Sequence, residues 1–124
     1  MIDSKKFEFI KKKYGHYASW AIWAEAGEKP KSNMGDLTIL DPKINKNLFL
    51  QLKPNVVLVG LNISRGIIKV PFANFHDKRS KATDYKIRYA LRDSPFWGGY
   101  MTDIIKDFNQ KSSGKVISYL KANK

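Results

Sequence analysis

The sequence predicts a single α/β domain, because segments of strand character alternate with segments of helical periodicity. The run from Val56 to Val59 is β-branched or aliphatic at every position, which favours a parallel strand covered on both faces. A second core strand is predicted over Tyr100 to Ile105. A chain of 124 residues with 43% hydrophobic content supports one compact domain, residues 1–124, with one modest core.

Helices are predicted on either side of the first strand. Residues Ser4 to Tyr14 have apolar side chains at helical spacing with lysines between them, and Asp3 or Ser4 is a suitable N-cap. Residues Asp84 to Leu91 show the same spacing, and Pro95 prevents the helix from continuing. A last helix is predicted around Val116 to Leu120.

The intervening segments are less regular. Tyr17 to Glu25 combines alanines, which favour a helix, with the alternating pair Trp20 and Ile22, which favours a strand. Leu37 to Leu40 is predicted as a short strand and Ile44 to Leu52 as a short helix. Ile63 to Ala82 is predicted as a long irregular connection, and connections of this length inside a compact domain usually carry function.

The composition restricts the classes of function. A net charge of +12, from 23 Lys and Arg against 11 Asp and Glu, favours a nucleic acid, a nucleotide or an acidic protein as partner, although a solvated basic surface would have the same composition. The chain has no cysteine, and His16 and His76 are far apart, so we expect no disulfide, metal or other cofactor. We also expect a soluble, cytoplasmic protein without membrane contact, because neither a signal sequence nor a membrane span is recognisable.

Polar side chains concentrate in and after the loop that follows the first predicted strand. They are Asn62, Ser64, Arg65, Asn74, His76, Asp77, Arg79 and Asp84. Phe72 and Phe75 lie among them, and aromatic rings among cations suit single-stranded nucleic acid, since a base stacks on the ring while a cation meets the phosphate. The alternative is that both rings plug the core. Eight Lys and Arg against two acids between Arg65 and Arg92 make Arg79 and Arg88 candidate phosphate contacts.

Three acidic residues have separate interpretations. Asp103 lies in an apolar run, so its carboxylate needs a partner such as an arginine or a helix N-terminus, and it is either a pocket carboxylate or half of a structural ion pair. Asp84 is expected to cap the following helix. His76 and Asp77 resemble a base and its orienting acid, but adjacent residues of an extended segment point to opposite sides.

Three stretches together resemble the amino-terminal half of the uracil-DNA-glycosylase-like superfamily. They are Val57-Leu-Val-Gly-Leu-Asn-Ile-Ser64, Pro71-Phe-Ala-Asn-Phe-His76 and Trp97-Gly-Gly-Tyr-Met-Thr-Asp-Ile-Ile-Lys106. The resemblance implies a small three-layer α/β/α domain with a short, mainly parallel sheet. It also implies that Asn62 positions or activates the water that attacks the sugar carbon, and that Phe72 or Phe75 stacks on an extruded base.

The chain departs from this superfamily after Lys106, where it has no histidine for the second, histidine-bearing motif. We therefore expect a domain that binds nucleic acid or a nucleotide without full glycosylase activity, with Ser64, Arg65 and His76 among the contacts. The alternative is a non-catalytic basic protein that docks an acidic protein partner. A homo-oligomer is a third hypothesis, in which Trp20, Trp23 and Phe96-Trp97 cover an exposed sheet edge or face.

Overall fold

The computed structural model of the chain describes residues 1–62, 68–105 and 121–122. The elements in chain order are helix α1 (Ser4–Tyr14), strand β1 (Ser19–Trp20), a 3-10 helix (Leu37–Leu40), helix α2 (Leu48–Gln51), strand β2 (Lys53–Asn62), helix α3 (Asp84–Leu91) and strand β3 (Gly99–Ile105). This arrangement of helices around a small mixed sheet confirms the predicted α/β class. No helix within these described residues is both long and apolar enough to cross a membrane.

The sheet has three strands in the order β1-β3-β2. Strands β2 and β3 run parallel, with Gly60 opposite Asp103 and Asn62 opposite Ile105. The short strand β1 pairs with β3 in the antiparallel direction. Because β2 and β3 are parallel, their carboxyl ends meet at one edge of the sheet, where open α/β folds bind their ligands.

Helix α1 begins and ends as the sequence predicts. The carboxylate of Asp3 accepts a hydrogen bond from the backbone N–H of Lys6 at 2.8 Å, which satisfies one of the unpaired donors of the first turn. The helix buries Phe7 completely, and the centroid of its ring lies 5.3 Å from that of Phe49 and 5.5 Å from that of Phe72. The helix is therefore fixed to the domain mainly through one aromatic anchor.

Two core clusters lie on opposite faces of the sheet. On one face, Met101 packs with Trp23 and with residues of α3. On the other face, Tyr100 packs against a cluster that contains Phe7 of α1 and Leu48 of α2. Since successive strand residues point to opposite faces, this division gives a helical layer on each side of the sheet.

The expectation that the first strand is covered on both faces is wrong. Val57 and Val59 of β2 are each 56% exposed, whereas Leu58, which points the other way, packs in the cluster with α3. The α1–α2 layer reaches Tyr100, opposite Val57, but it does not cover these β2 side chains. A continuous apolar run therefore marks a strand here without marking burial of both faces.

The short strand predicted over Leu37–Leu40 is also wrong, because this segment is a 3-10 helix. The carboxylate of Asp36 accepts hydrogen bonds from the backbone N–H of Thr38 at 3.0 Å and from its hydroxyl at 2.6 Å. These local bonds favour a turn over an extended chain. The helix predicted around Val116 to Leu120 lies outside the described residues.

The tryptophans proposed to cover a sheet edge lie instead in the core. Trp20 and Trp23 are buried, Trp97 is partly buried, and only Phe96 of this group is exposed. Trp20 contacts Tyr100 edge to face, with ring centroids 5.4 Å apart. Trp20, Trp23 and Trp97 therefore pack within the domain and do not cover an exposed sheet edge.

Candidate functional site

The candidate site lies at the carboxyl ends of β2 and β3, where Gly60 and Asp103 are opposite each other. Asp103 is only 3% exposed. A Cβ atom added to Gly60 would lie less than 3.0 Å from Oδ1 of Asp103 and 3.6 Å from Cε1 of Phe75. Glycine is thus needed at position 60, because the carboxylate and the aromatic ring both lie against its Cα.

Asn74 holds the Asp103 carboxylate from the neighbouring loop. Its Nδ2 donates to Oδ2 of Asp103 at 3.0 Å and to the carbonyl of Tyr17 at 2.8 Å. Its Oδ1 accepts a hydrogen bond from the backbone N–H of Phe75 at 3.1 Å. Asn74 is therefore one hydrogen-bond partner of the buried carboxylate.

The backbone of this loop adopts an uncommon conformation. Phe72 and Phe75 have φ angles of 65° and 70°, in the left-handed region that bulky residues rarely occupy. The backbone N–H of Phe72 donates to the carbonyl of Gly15 at 2.8 Å, and Nε1 of Trp23 donates to the carbonyl of Phe75 at 3.0 Å. These long-range bonds hold the turn that directs Asn74 towards Asp103, and such strain is concentrated at functional sites in proteins.

The two phenylalanines of this turn have different roles. Phe72 is completely buried against Phe7, so the prediction that it stacks on a ligand is wrong and its core interpretation is confirmed. Phe75 is only partly buried, and its ring approaches Gly60 beside the Asp103 carboxylate. Phe75 is therefore the aromatic side chain of the site.

His76 belongs to the core and not to the ligand face. It is buried, and its Nε2 lies 2.9 Å from the carbonyl of Ile22. Its Nδ1 lies 3.0 Å from the carbonyl of Asn74 and 3.3 Å from the hydroxyl of Ser19. Both ring nitrogens therefore face hydrogen-bonding partners inside the core. The predicted ligand contact through His76 is wrong, because its side chain is buried in the core.

Arg79 is fixed at the surface of the loop by Asp77. Its Nη2 lies 2.7 Å from Oδ2 of Asp77, and its Nε bonds both carboxylate oxygens at 2.9 and 3.0 Å. The hydrogen bond and the charge of Asp77 raise the pKa of Arg79 above its ordinary value. Asp84, expected to cap α3, instead accepts a hydrogen bond from the backbone N–H of Asp77 at 2.9 Å.

Arg88 lies on α3 and is 4% exposed. Its Nη1 donates to the carbonyl of Ala24 at 2.9 Å and its Nη2 to that of Pro30 at 2.5 Å. Burial lowers the pKa of Arg88, and the positive charge of Arg92 lowers it further. Arg88 thus joins α3 to the Ala24–Pro30 segment and makes no hydrogen bond to Asp103 or Asn74.

Three predicted site residues lie wholly or partly outside the described residues. The backbone of Asn62 is paired with Ile105, but its side chain lies outside the described residues, as do Ser64 and Arg65. Within the described part of the chain, no group of three or more His, Cys, Asp or Glu side chains is arranged to hold a metal ion.

The described site thus consists of Gly60, Asn74, Phe75 and Asp103. The sequence marks Asn74 only as one polar residue of the loop. Its position between Phe72 and Phe75 was a signal that its amide would be buried and hydrogen-bonded. Comparison with protein-family models, curated proteins and solved structures gives no match to this chain.

Proposed function

We propose that this protein binds single-stranded nucleic acid or a nucleotide at the carboxyl ends of β2 and β3, as its resemblance to uracil-DNA-glycosylase-like proteins implies. The observation that carries the proposal is the convergence of Phe75, Asn74 and Asp103 on Gly60. Polar groups that converge with an aromatic ring at the carboxyl ends of parallel strands are suited to ligand recognition. The group is therefore better explained as a site that recognises a polar ligand.

Each component has a chemical use in such a site. The Phe75 ring offers a face on which a base stacks, and such stacking is insensitive to base identity. The Asp103 carboxylate is buried and bonded to Asn74, so it holds the loop that carries this ring. The exposed guanidinium of Arg79, fixed by Asp77, meets a phosphate with little further loss of side-chain freedom.

The same geometry favours binding over base excision. Cleavage of an N-glycosidic bond requires donors that stabilise charge on the departing base. His76 does not supply such a donor, because its side chain is buried and its Nε2 lies 2.9 Å from the carbonyl of Ile22 inside the core. We therefore propose a binding protein without full glycosylase activity, with Asn62 as the residue that would contact the sugar or its attacking water if the domain were active.

The binding proposal is tested by titrating the protein into a fluorescent single-stranded oligonucleotide at low and high salt. We expect the affinity to fall steeply with salt, as counterion release requires. Phe75→Gly, which tolerates the positive φ, should weaken binding about tenfold through the loss of stacking. Phe9→Ala, which removes an exposed ring from α1, is the matched control and should not change it. Absent or salt-insensitive binding would overturn the proposal and favour an acidic protein partner.

The catalytic part needs a separate assay. Uracil-containing single-stranded and duplex DNA is incubated with excess protein, and abasic sites are detected by alkaline strand cleavage. We expect no cleavage above background. Release of uracil that is lost in Asn62→Ala and retained in Phe9→Ala would show that the domain is an active glycosylase.

A further inference from the structure

A second cationic pocket lies between α3 and the loop of residues 26–30, and it shares no residue with the Gly60–Asp103 site. It encloses about 510 Å³, within the range of small-molecule sites. Four cations line it, Lys29, Lys86, Arg88 and Arg92, against one carboxylate, that of Glu28. A pocket of this size with a net charge near +3 is suited to an anion.

Arg88 is the buried charge of this pocket. Of the five N–H groups of its guanidinium, one bonds to Ala24 and one to Pro30, both of which are neutral carbonyls. Within residues 1–62 and 68–105, no carboxylate lies within ion-pair distance of Arg88 or Arg92. Burial and the nearby charge of Arg92 both lower the pKa of Arg88, and a bound anion would oppose both effects.

Helix α3 also presents aromatic side chains to the pocket. Tyr85, Arg88 and Tyr89 are spaced i, i+3 and i+4, so they lie on one face of the helix, and Arg92 directly follows its last residue. Tyr89 is 78% exposed and contributes little to the core. An exposed ring next to two guanidinium groups provides a stacking surface beside a phosphate-binding group.

From this arrangement we infer that the pocket binds a nucleotide with a terminal phosphate, which Arg88 and Arg92 bind as a phosphomonoester while its base stacks on Tyr89. A phosphomonoester carries more charge than an internal phosphodiester, so paired arginines favour it. The ligand is either a free mononucleotide or the 5′-phosphorylated end of a nucleic acid strand, since both present the same chemistry.

Calorimetric titration with thymidine 5′-monophosphate, thymidine and inorganic phosphate tests this inference. We expect the monophosphate to bind more tightly than either component. Arg92→Gln should weaken binding of the monophosphate about tenfold, because a charge-assisted hydrogen bond is lost. Lys46→Gln is the control and should not change binding, because it removes an exposed charge that does not line the pocket. Tyr89→Ala should weaken binding of the monophosphate and leave that of inorganic phosphate unchanged, and Phe9→Ala is its control.

Competition then distinguishes the two sources of the ligand. Displacement of the monophosphate by a 5′-phosphorylated oligonucleotide, but not by its 5′-hydroxyl counterpart, assigns the pocket to strand ends. Displacement by neither assigns it to free nucleotides. Equal displacement by both, or equal affinity for thymidine and its monophosphate, would overturn the inference. Because Phe75 does not line this pocket, loss of binding in Phe75→Gly would report on the other site alone.

Discussion

The substitution Gly60→Ala tests the packing at the centre of the candidate site. The added Cβ would lie less than 3.0 Å from Oδ1 of Asp103, so the carboxylate would have to move. Movement would break the 3.0 Å hydrogen bond from Asn74, and the loss of a bond to a buried charged group costs about 1.5–3 kcal/mol. Overpacking adds about 1 kcal/mol. We therefore expect the free energy of unfolding to fall by about 3 kcal/mol.

Urea denaturation followed by tryptophan fluorescence measures this change, because Trp20 and Trp23 are buried in the native state. The matched control is Gly35→Ala, whose Cβ would meet only the flexible side chain of Lys78 and should cost less than about 0.5 kcal/mol. In Gly60→Ala/Asp103→Ala the obstructing carboxylate is gone, so the two effects should not add. Equal stability of Gly60→Ala and Gly35→Ala would refute the packing argument. Strict additivity of the Gly60→Ala and Asp103→Ala effects in the double variant would also refute it.

Three further outcomes can be measured on the same protein. Asp3→Ala should cost about 1 kcal/mol of unfolding free energy, because it removes the acceptor of the Lys6 N–H, whereas Asp3→Asn should retain most of it; equal losses would contradict the cap. Phe72→Ala should lower the free energy of unfolding, measured by urea denaturation, by about 3–5 kcal/mol, because the ring is buried. Phe9→Ala should lower it by less than about 0.5 kcal/mol, and similar losses in both variants would exclude Phe72 from the core. Burial raises the pKa of Tyr100 above its ordinary value of about 10, so folding favours the protonated ring. The melting temperature should therefore fall as the pH rises through and above about 10. It should fall more steeply than in Tyr100→Phe, and the same pH dependence in both proteins would contradict this role of Tyr100.

Much of the secondary structure follows from local patterns in the sequence. Helix α3 has the predicted boundaries, because its spacing, the acid in its first turn and the following proline all act within the segment. The 3-10 helix at Leu37–Leu40 was missed because the side chain of Asp36 reverses an otherwise strand-like run. The exposure of Val57 and Val59 was missed because apolar composition does not show which faces the neighbouring layers cover.

The candidate site was only partly predictable. Asp103 stood out within its strand, but its position opposite Gly60 depends on the parallel register of β2 and β3. The different burial of Phe72 and Phe75 could not be foreseen, because both are aromatic and their burial depends on partners that are distant in sequence, such as Phe7 for Phe72 and Trp23 for Phe75. Likewise, the burial of His76 results from carbonyls that are distant in sequence, such as that of Ile22.

The turn from Phe72 to Phe75 has a consequence for how this protein tolerates change. One end of the turn anchors in the core against Phe7, and the other supplies the ring of the site, with Asn74 between them. Inserting or deleting one residue here would shift Asn74 away from Asp103 even if both rings kept their places. Substitutions at Phe7, on a helix outside the candidate site, should therefore disturb Asn74 and Phe75 as well. A stability measurement would distinguish them from substitutions in the site itself.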